Sequence, residues 1–201
     1  MYIPHDAKNV VILVSGGIDS TLLLYLLAKE VSQNKLDVQL NAVSSRIGMI
    51  NPERVRKVIQ YIEQIYSTEI QYNHSAQHGW IRDIVSEVFM VCQPDYVYTG
   101  CNLVVTDKFT PTKYIKNDTP PHRGEALNER HLRPFITYDK IKIVDLYIQN
   151  NLLDLLRITY SCGFSQVEEC GECYFCTEKI WATKTLNIHK LFNYTNNIHN
   201  V

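Results

Sequence analysis

Short apolar runs alternate with longer amphipathic stretches along most of the chain. The run at 10–14 (VVILV) is continuously apolar and rich in β-branched residues, which is typical of a strand buried on both faces of a parallel sheet. Further patterns predict strands at 36–44, 68–72 and 95–99, and helices at 21–31, 53–66 and 80–91. This alternation predicts an α/β fold with a Rossmann-like open parallel sheet, whose ligands bind at the carboxyl ends of the strands.

The pattern changes in the second half of the chain. Residues 106–133 contain three prolines and many charges, and we predict an irregular loop there, either a solvated surface loop or a lid that places Arg123 or Arg133 on an anion. An ordered element is expected at 134–136, one or two helices at 139–156, and a closing helix at 178–192. We therefore divide the chain into an α/β domain over 1–158 and a small module over 159–201 that packs on it.

Composition narrows the class of protein. The chain has 201 residues, of which 45% are hydrophobic and 20% charged, which excludes disordered, collagen-like and coiled-coil chains. The net charge of −1 creates no strong field, so we expect no stable binding to nucleic acid. We find neither an apolar run long enough to span a membrane nor an export signal, and we expect a cytoplasmic protein without membrane contact. In that reducing compartment the six cysteines are not expected to form disulfides.

The hexapeptide SGGIDS at 15–20 stands between the first strand and the first helix. Gly16 and Gly17 allow the backbone to approach an anion, and the amides at the helix start favour phosphate. Hydroxyl donors are available from Ser15, Ser20 and Thr21. Asp19 would repel phosphates, and a divalent metal bridging its carboxylate to them would explain its presence. The alternative is an ordinary strand–turn–helix corner with a capping Ser or Asp.

Four cysteines form a closely spaced set, Cys162-x7-Cys170-x2-Cys173-x2-Cys176. Four thiolates at this spacing can fold around one tetrahedral ion, and Gly171 permits the tight turn between two of them. Zinc is the leading candidate, because a closed set of four thiolates suits a structural site. An iron–sulfur cluster also takes four thiolates, and free buried cysteines or disulfides are the remaining alternatives.

SGGIDS after a first strand resembles the PP-loop of the ATP pyrophosphatase superfamily, whose members bind ATP, adenylate a carbonyl or carboxylate oxygen and release pyrophosphate. The resemblance implies that pyrophosphate is held by Ser15, Gly16, Gly17, Asp19 and Ser20. Ile18 and Thr21 of the same loop are counted with them as cofactor-binding residues. It places adenine near Val43 and Ser44 at the second strand, with Gly100 beside the nucleotide. The segment RPFITYDKIKIVDL resembles a later superfamily motif and makes Lys140 a candidate phosphate contact, the alternative being a solvated helix lysine. Asp19, Ser20 and Lys140 are then the implied catalytic residues.

The segment TYSCGFSQVEECGECYFCTEK resembles the C-terminal motif of the 7-cyano-7-deazaguanine synthase family. This resemblance implies an ATP-dependent C–N ligase that converts 7-carboxy-7-deazaguanine and ammonia to 7-cyano-7-deazaguanine through an adenylated carboxylate and an amide. It further implies Mg²⁺, a structural Zn²⁺ close to the active site, and a homodimer. One departure is that Asn102 is followed by LVVTDKFTP rather than by the family's D-x-S-G-Y-P-D-C-R stretch.

Two other classes of function stay open. The first is another PP-loop enzyme, acting in tRNA thiolation or resembling phosphoadenylyl-sulfate reductase, in which the cysteines would hold a redox-active cluster or a persulfide. The second is a catalytically inactive protein that binds nucleotide and zinc and interacts with a partner. The intact SGGIDS sequence argues against this second class.

Overall fold

The computed structural model describes residues 2–44, 51–74, 81–105, 107–111, 125–165 and 168–192. Its first part alternates strands and helices: β1 (Asn9–Leu13), α1 (Ile18–Asn34), β2 (Gln39–Ser44), α2 (Pro52–Tyr66), β3 (Ile70–His74), α3 (Ile81–Val91) and β4 (Tyr96–Thr99). The second part contains β5 (His131–Leu132), α4 (Lys140–Gln149), α5 (Leu153–Ile158) and α6 (Tyr174–Thr185), followed by a 3₁₀ turn at His189–Leu191.

The described strands form one five-stranded sheet in the order β3-β2-β1-β4-β5, with every neighbouring pair parallel. β1 lies at the centre, paired with β2 on one side and β4 on the other. The prediction of an open parallel α/β sheet is therefore confirmed. The strand order reverses at β1, which places the loop after β1 at a point where such sheets bind ligands.

Helices cover both faces of the sheet, which explains why β1 is apolar at every position from Val10 to Leu13. Val10 and Ile12 point into the larger core, which also contains residues of α1, α2, α4 and α5. Val11 points the other way, into a smaller core with Val97 and the α3 residues Ile84, Val85 and Val88. Successive strand residues alternate between the two faces, so a strand covered on both sides needs apolar residues throughout.

Local sequence explains where several helices begin and end. α2 starts after Asn51, whose side chain accepts a hydrogen bond from the Glu53 amide at 3.0 Å, and Pro52 occupies its first position. α4 starts after Asp139, whose side chain accepts from the Lys142 amide at 2.8 Å. The described part of the chain includes no helix that is both long and apolar enough to cross a membrane.

Some elements differ from their predicted positions. β3 lies two residues later than predicted, and α6 begins at Tyr174, four residues before the expected closing helix. The short strand β5 falls inside the segment 106–133, which was predicted to be irregular; two residues are too few to show an alternating pattern. Much of the predicted lid, residues 106 and 112–124 with Arg123, lies outside the described residues.

Candidate functional site

The SGGIDS loop turns sharply between β1 and α1. Gly16 has a φ of 76°, which a residue with a side chain rarely adopts. Inside the loop, the Ser15 amide donates to Ser20 Oγ at 3.1 Å and the Gly17 amide donates to Ser15 Oγ at 3.2 Å. Among the described residues no side chain caps α1, so the amides of its first turn are available to accept an anion as hydrogen-bond partner. The predicted strand–loop–helix arrangement is thus present, with Ser15 and Ser20 shaping the loop as well as lining it.

Gly100, at the end of β4, lies against the backbone of this loop. A Cβ atom at this position would lie 2.8 Å from the Ser20 nitrogen and 2.9 Å from the Asp19 carbonyl carbon. Real side chains do not tolerate such contacts, so only glycine allows β4 to approach the start of α1 this closely. The structure therefore places Gly100 beside the loop, next to the predicted nucleotide position.

Lys140 reaches the loop from the first residue of α4. Its ammonium lies 2.5 and 2.6 Å from the two carboxylate oxygens of Asp19, and 3.2 Å from Glu178 Oε2. The Lys140 side chain is only 3% exposed and that of Glu178 is fully buried, whereas Asp19 is 16% exposed. The alternative that Lys140 is a solvated helix lysine is therefore wrong.

Glu178 and Asn102 lie beside Lys140 and Asp19, although no sequence motif indicates a role for either. Glu178 Oε1 lies 3.5 Å from the Asn102 side-chain nitrogen and 3.4 Å from the Tyr174 hydroxyl. Asn102 is fully buried, and its Oδ1 has no hydrogen-bond partner among the described residues. Glu178 sits in the polar run TEK, which by itself is typical of an exposed helix face, so its burial could be found only from the packing of α6 on α4.

Two predicted loop residues turn away from solvent. Ile18 packs in the large core, and its carbonyl accepts a hydrogen bond from the Tyr147 hydroxyl at 2.7 Å. Thr21 is fully buried, and its hydroxyl has no partner within the described ranges. Burial raises the pKa of Tyr147 well above its usual value, so this hydroxyl stays a donor. Ile18 can therefore contribute only main-chain groups to an anion site.

The predicted adenine position lies at the carboxyl ends of β2 and β3. The side chain of Val43 packs in the smaller core, and its carbonyl accepts from the Val14 amide at 2.8 Å. Ser44 is buried, and its hydroxyl lies 2.7 Å from the Tyr72 hydroxyl and 2.8 Å from His74 Nδ1. Ser44 thus joins the ends of the two strands at the edge where the sheet is expected to bind its ligand.

The four predicted cysteines Cys162, Cys170, Cys173 and Cys176 come together at the start of α6. Their sulfur atoms all lie within 4.8 Å of one another. Gly171, which is predicted to permit the tight turn, adopts a left-handed conformation with a φ of 74°. The hydrogen bond with Cys176 lowers the pKa of Cys173 to about 5 and raises that of Cys176. Burial raises the pKa of Cys170. A compact set of mostly buried thiols in which one ionises readily is suited to hold a metal ion.

The segment that contains the four cysteines, residues 159–185 and here called the cysteine module, contacts the SGGIDS loop directly. The Tyr160 amide donates to the Gly16 carbonyl at 2.9 Å. The buried Lys179 of α6 lies 3.0 Å from a carboxylate oxygen of Glu169 and also donates to the Thr159 carbonyl at 3.2 Å. Glu169 in turn accepts from the Ser161 amide at 2.8 Å. A second buried ion pair therefore ties α6 to the segment that supports Gly16.

His131 lies in β5, the edge strand opposite β3. It is buried, accepts from the Leu127 amide through Nδ1 at 3.1 Å, and lies 3.0 Å from the Thr99 hydroxyl through Nε2. Burial, with a smaller effect of the Arg133 charge, lowers its pKa to about 4. Because Nδ1 accepts, the neutral ring carries its proton on Nε2 and donates it to Thr99.

No family model matches the chain, and no curated protein matches it. Among solved structures, the U34-tRNA thiolase NcsA from Methanococcus maripaludis, solved with its [4Fe-4S] cluster, is similar at 17% identity and a TM-score of 0.49, over 92% of this chain and 67% of that chain. Protein Rv1636 from Mycobacterium tuberculosis H37Rv is similar at 14% identity and a TM-score of 0.37, over 50% and 75% of the two chains. A universal stress protein in complex with cAMP is similar at 11% identity and 0.34, over 45% and 74%. Values this low assign neither family nor function to the chain.

Proposed function

We propose that this protein is an ATP-dependent enzyme of the PP-loop type, which adenylates an oxygen of its substrate and releases pyrophosphate. The observation that carries the proposal is the meeting of three separate chain segments at the carboxyl edge of the sheet. The SGGIDS loop, Gly100 and Lys140 are far apart in sequence, yet Gly100 touches the loop backbone and Lys140 pairs with Asp19. An ordinary strand–turn–helix corner gives no reason for a buried lysine at this position.

The loop can bind the pyrophosphate part of ATP with its own atoms. The uncapped amides at the start of α1 and the hydroxyls of Ser15 and Ser20 are donors for phosphate oxygens. Lys140 would stabilise the negative charge that develops as pyrophosphate leaves. Mg²⁺ bound with the nucleotide would neutralise phosphate charge, and Asp19, whose carboxylate is 16% exposed, is the residue placed to hold it.

We propose 7-carboxy-7-deazaguanine as the substrate. The support is the order of motifs in the sequence: the hexapeptide, Gly100–Asn102, the Lys140 segment and the four cysteines. A carboxylate oxygen would attack the α-phosphorus of ATP and pyrophosphate would leave; ammonia would then displace AMP to give the amide and release a proton. A second ATP would activate the amide oxygen in the same way, and loss of AMP together with both protons of the amide nitrogen would give the nitrile. Neither step needs a nucleophilic side chain.

For the cysteine module we propose one structural zinc ion. Four thiolates arranged tetrahedrally around a single zinc lie about 3.8 Å apart, close to the 3.9 Å between the sulfurs of Cys170 and Cys176. In a [4Fe–4S] cluster each cysteine binds a different iron, which requires a wider set than sulfurs that all lie within 4.8 Å. The compact set therefore favours zinc and disfavours the redox-active cluster of the thiolation alternative.

The remaining expectations belong to the same proposal. We place the enzyme in the cytoplasm, as a homodimer without stable nucleic-acid or membrane binding. Its 159–201 module would pack on the ATP-binding domain of 1–158 and support the loop through Tyr160.

Turnover tests the proposal directly. Purified protein would be incubated with Mg-ATP, ammonium and 7-carboxy-7-deazaguanine, and pyrophosphate and product mass would be followed. We expect loss of the acid with gain of the amide or nitrile mass. Asp19→Ala is the matched control: it should abolish turnover and remain folded, because Lys140 keeps Glu178 as a counter-charge. An active Asp19→Ala variant would contradict the assignment of the loop, and cleavage of ATP without use of the acid would contradict the substrate.

A further inference from the structure

Lys140 stands between two carboxylates that come from different parts of the chain, Asp19 in the loop and Glu178 in α6. We propose that Glu178 is a positioning residue, which holds Lys140 at the loop when the magnesium ion of the bound nucleotide engages Asp19. This inference rests on the proposed function and adds to it a residue for which the sequence motifs gave no role.

The contacts show why Asp19 alone cannot do both tasks. Both of its oxygens lie within 2.6 Å of the Lys140 ammonium, so binding a cation would require at least one of them to leave the lysine. Because the Lys140 side chain is only 3% exposed, water cannot replace the lost carboxylate oxygen unless the ammonium moves outward. Of the carboxylates that contact Lys140 in the described part of the chain, Glu178 then remains, at 3.2 Å.

Glu178 is itself held in place by the cysteine module. The Asn102 amide lies 3.5 Å from it and the Tyr174 hydroxyl 3.4 Å, both at Oε1. Its Oε2 has no hydrogen-bond partner among the described residues and faces the Lys140 ammonium at 3.2 Å. Its helix α6 begins directly after Cys173 and contains Cys176 in its first turn. A metal ion bound by these cysteines would fix the start of the helix whose next turn carries Glu178. The position of Lys140 thus depends on the cysteine module through one side chain.

The chain offers a closely matched control. Glu169 belongs to the same module and pairs with another buried lysine of α6, Lys179, at 3.0 Å, but it makes none of the described contacts with Lys140. Glu178→Gln and Glu169→Gln each replace a carboxylate by a neutral amide at nearly constant volume; the Glu178 side chain is fully buried and that of Glu169 is 14% exposed. Both are expected to lower the melting temperature, whereas only Glu178→Gln should weaken nucleotide binding to an extent that depends on Mg²⁺.

The experiment is calorimetric titration of wild type and both variants with ATP, in the presence and absence of Mg²⁺. We expect Glu178→Gln to weaken binding of Mg-ATP by roughly tenfold, because one buried ion-pair contact of Lys140 is lost. Without Mg²⁺ the loss should be smaller, because Asp19 still holds Lys140. Glu178→Gln should have no further effect on Mg-ATP binding in a Lys140→Met background, since it acts through that lysine.

Different results separate the failure of this inference from that of the proposed function. Wild type that binds no ATP contradicts the proposed function and this inference with it. If wild type binds ATP, two results overturn the positioning role alone. One is a loss in Glu178→Gln that does not depend on Mg²⁺, and the other is the same Mg²⁺-dependent loss in Glu169→Gln. If Glu178→Gln does not fold, Glu178→Asp keeps the charge and withdraws it by one methylene, and the same Mg²⁺-dependent loss is expected; its absence overturns the inference.

Discussion

The Lys140 ammonium is a buried cation shared by Asp19 and Glu178, so its removal should destabilise the folded protein. Lys140→Met keeps most of the side-chain volume and leaves the two carboxylates of Asp19 and Glu178 without their shared cation. Glu178 is fully buried, so its charge cannot be compensated by water. We therefore expect the variant to fold less stably, for an electrostatic rather than a packing reason.

The magnitude follows from the burial of the three groups. Removing one partner of a buried ion pair costs about 3–5 kcal/mol. Asp19 retains 16% exposure and is partly rehydrated, so most of this cost arises at Glu178. For a domain of this size each kcal/mol lowers the melting temperature by about 2–4 °C, which gives a decrease of roughly 6–20 °C.

Denaturant and thermal unfolding would compare wild type with Lys140→Met and with the control Lys142→Met. Lys142 is on the same helix, but its side chain is 48% exposed and its ion pair with Asp145 is long, at 3.7 Å. Loss of its charge should therefore change the free energy of unfolding by about 0.5 kcal/mol or less. Adding Glu178→Gln to Lys140→Met should recover part of the stability, because it removes the unpaired charge. Equal stability of the two lysine variants would refute the description of Lys140 as a buried, doubly paired cation.

Three further predictions concern other parts of the structure. Gly100→Ala should destabilise the protein by about 1–3 kcal/mol and weaken ATP binding, because the added carbon would lie 2.8 Å from the Ser20 nitrogen; unfolding and ATP titration measure both effects. Cys173→Ser should lose the bound metal and melt at a lower temperature, whereas Cys92→Ser, an exposed cysteine outside the cluster, should keep its metal, as read by elemental analysis and calorimetry. The free energy of unfolding should decrease as the pH falls from about 6.5 to about 4. Denaturant unfolding at several pH values should show a smaller decrease in His131→Gln.

The sign of the pH effect follows from the burial of His131. Its pKa is about 4 in the folded protein and 6.5 when exposed, so between these values the unfolded chain binds more protons and acid favours unfolding. The corresponding loss is about 3 kcal/mol at most. An unchanged slope in His131→Gln would contradict the account of this histidine. Normal ATP binding by Gly100→Ala, or full metal content in Cys173→Ser, would contradict the geometry of the loop and the four-cysteine site respectively.

Local sequence patterns are sufficient to predict structure where the contacting residues are close in sequence. The apolar run at β1 predicted a strand covered on both faces, and the cysteine spacing predicted that four sulfurs lie together; both are confirmed. Gly171 was expected to permit a tight turn and does so with a positive φ. In each case the partners are close in sequence or the periodicity itself carries the information.

Long-range contacts could not be obtained in this way. Lys140 is buried because Glu178, 38 residues further on, packs against it from another helix, and neither local pattern indicates this. Asn102 likewise acquires its neighbours only when α6 packs on α4. β5 pairs with β4 through just two residues, and its position is set by the partner strand rather than by its own sequence. The proposed roles of the loop residues themselves stay predictions.

The fate of the phosphates of ATP tests the central claim most directly. Purified protein would be given Mg-ATP and radiolabelled pyrophosphate with 7-carboxy-7-deazaguanine, without ammonium, and the appearance of label in ATP would be followed. Reversible adenylation predicts exchange that requires the acid and disappears in Asp19→Ala. Cleavage of ATP to ADP and phosphate, or no exchange by a wild-type protein that binds ATP and the acid, would contradict the account.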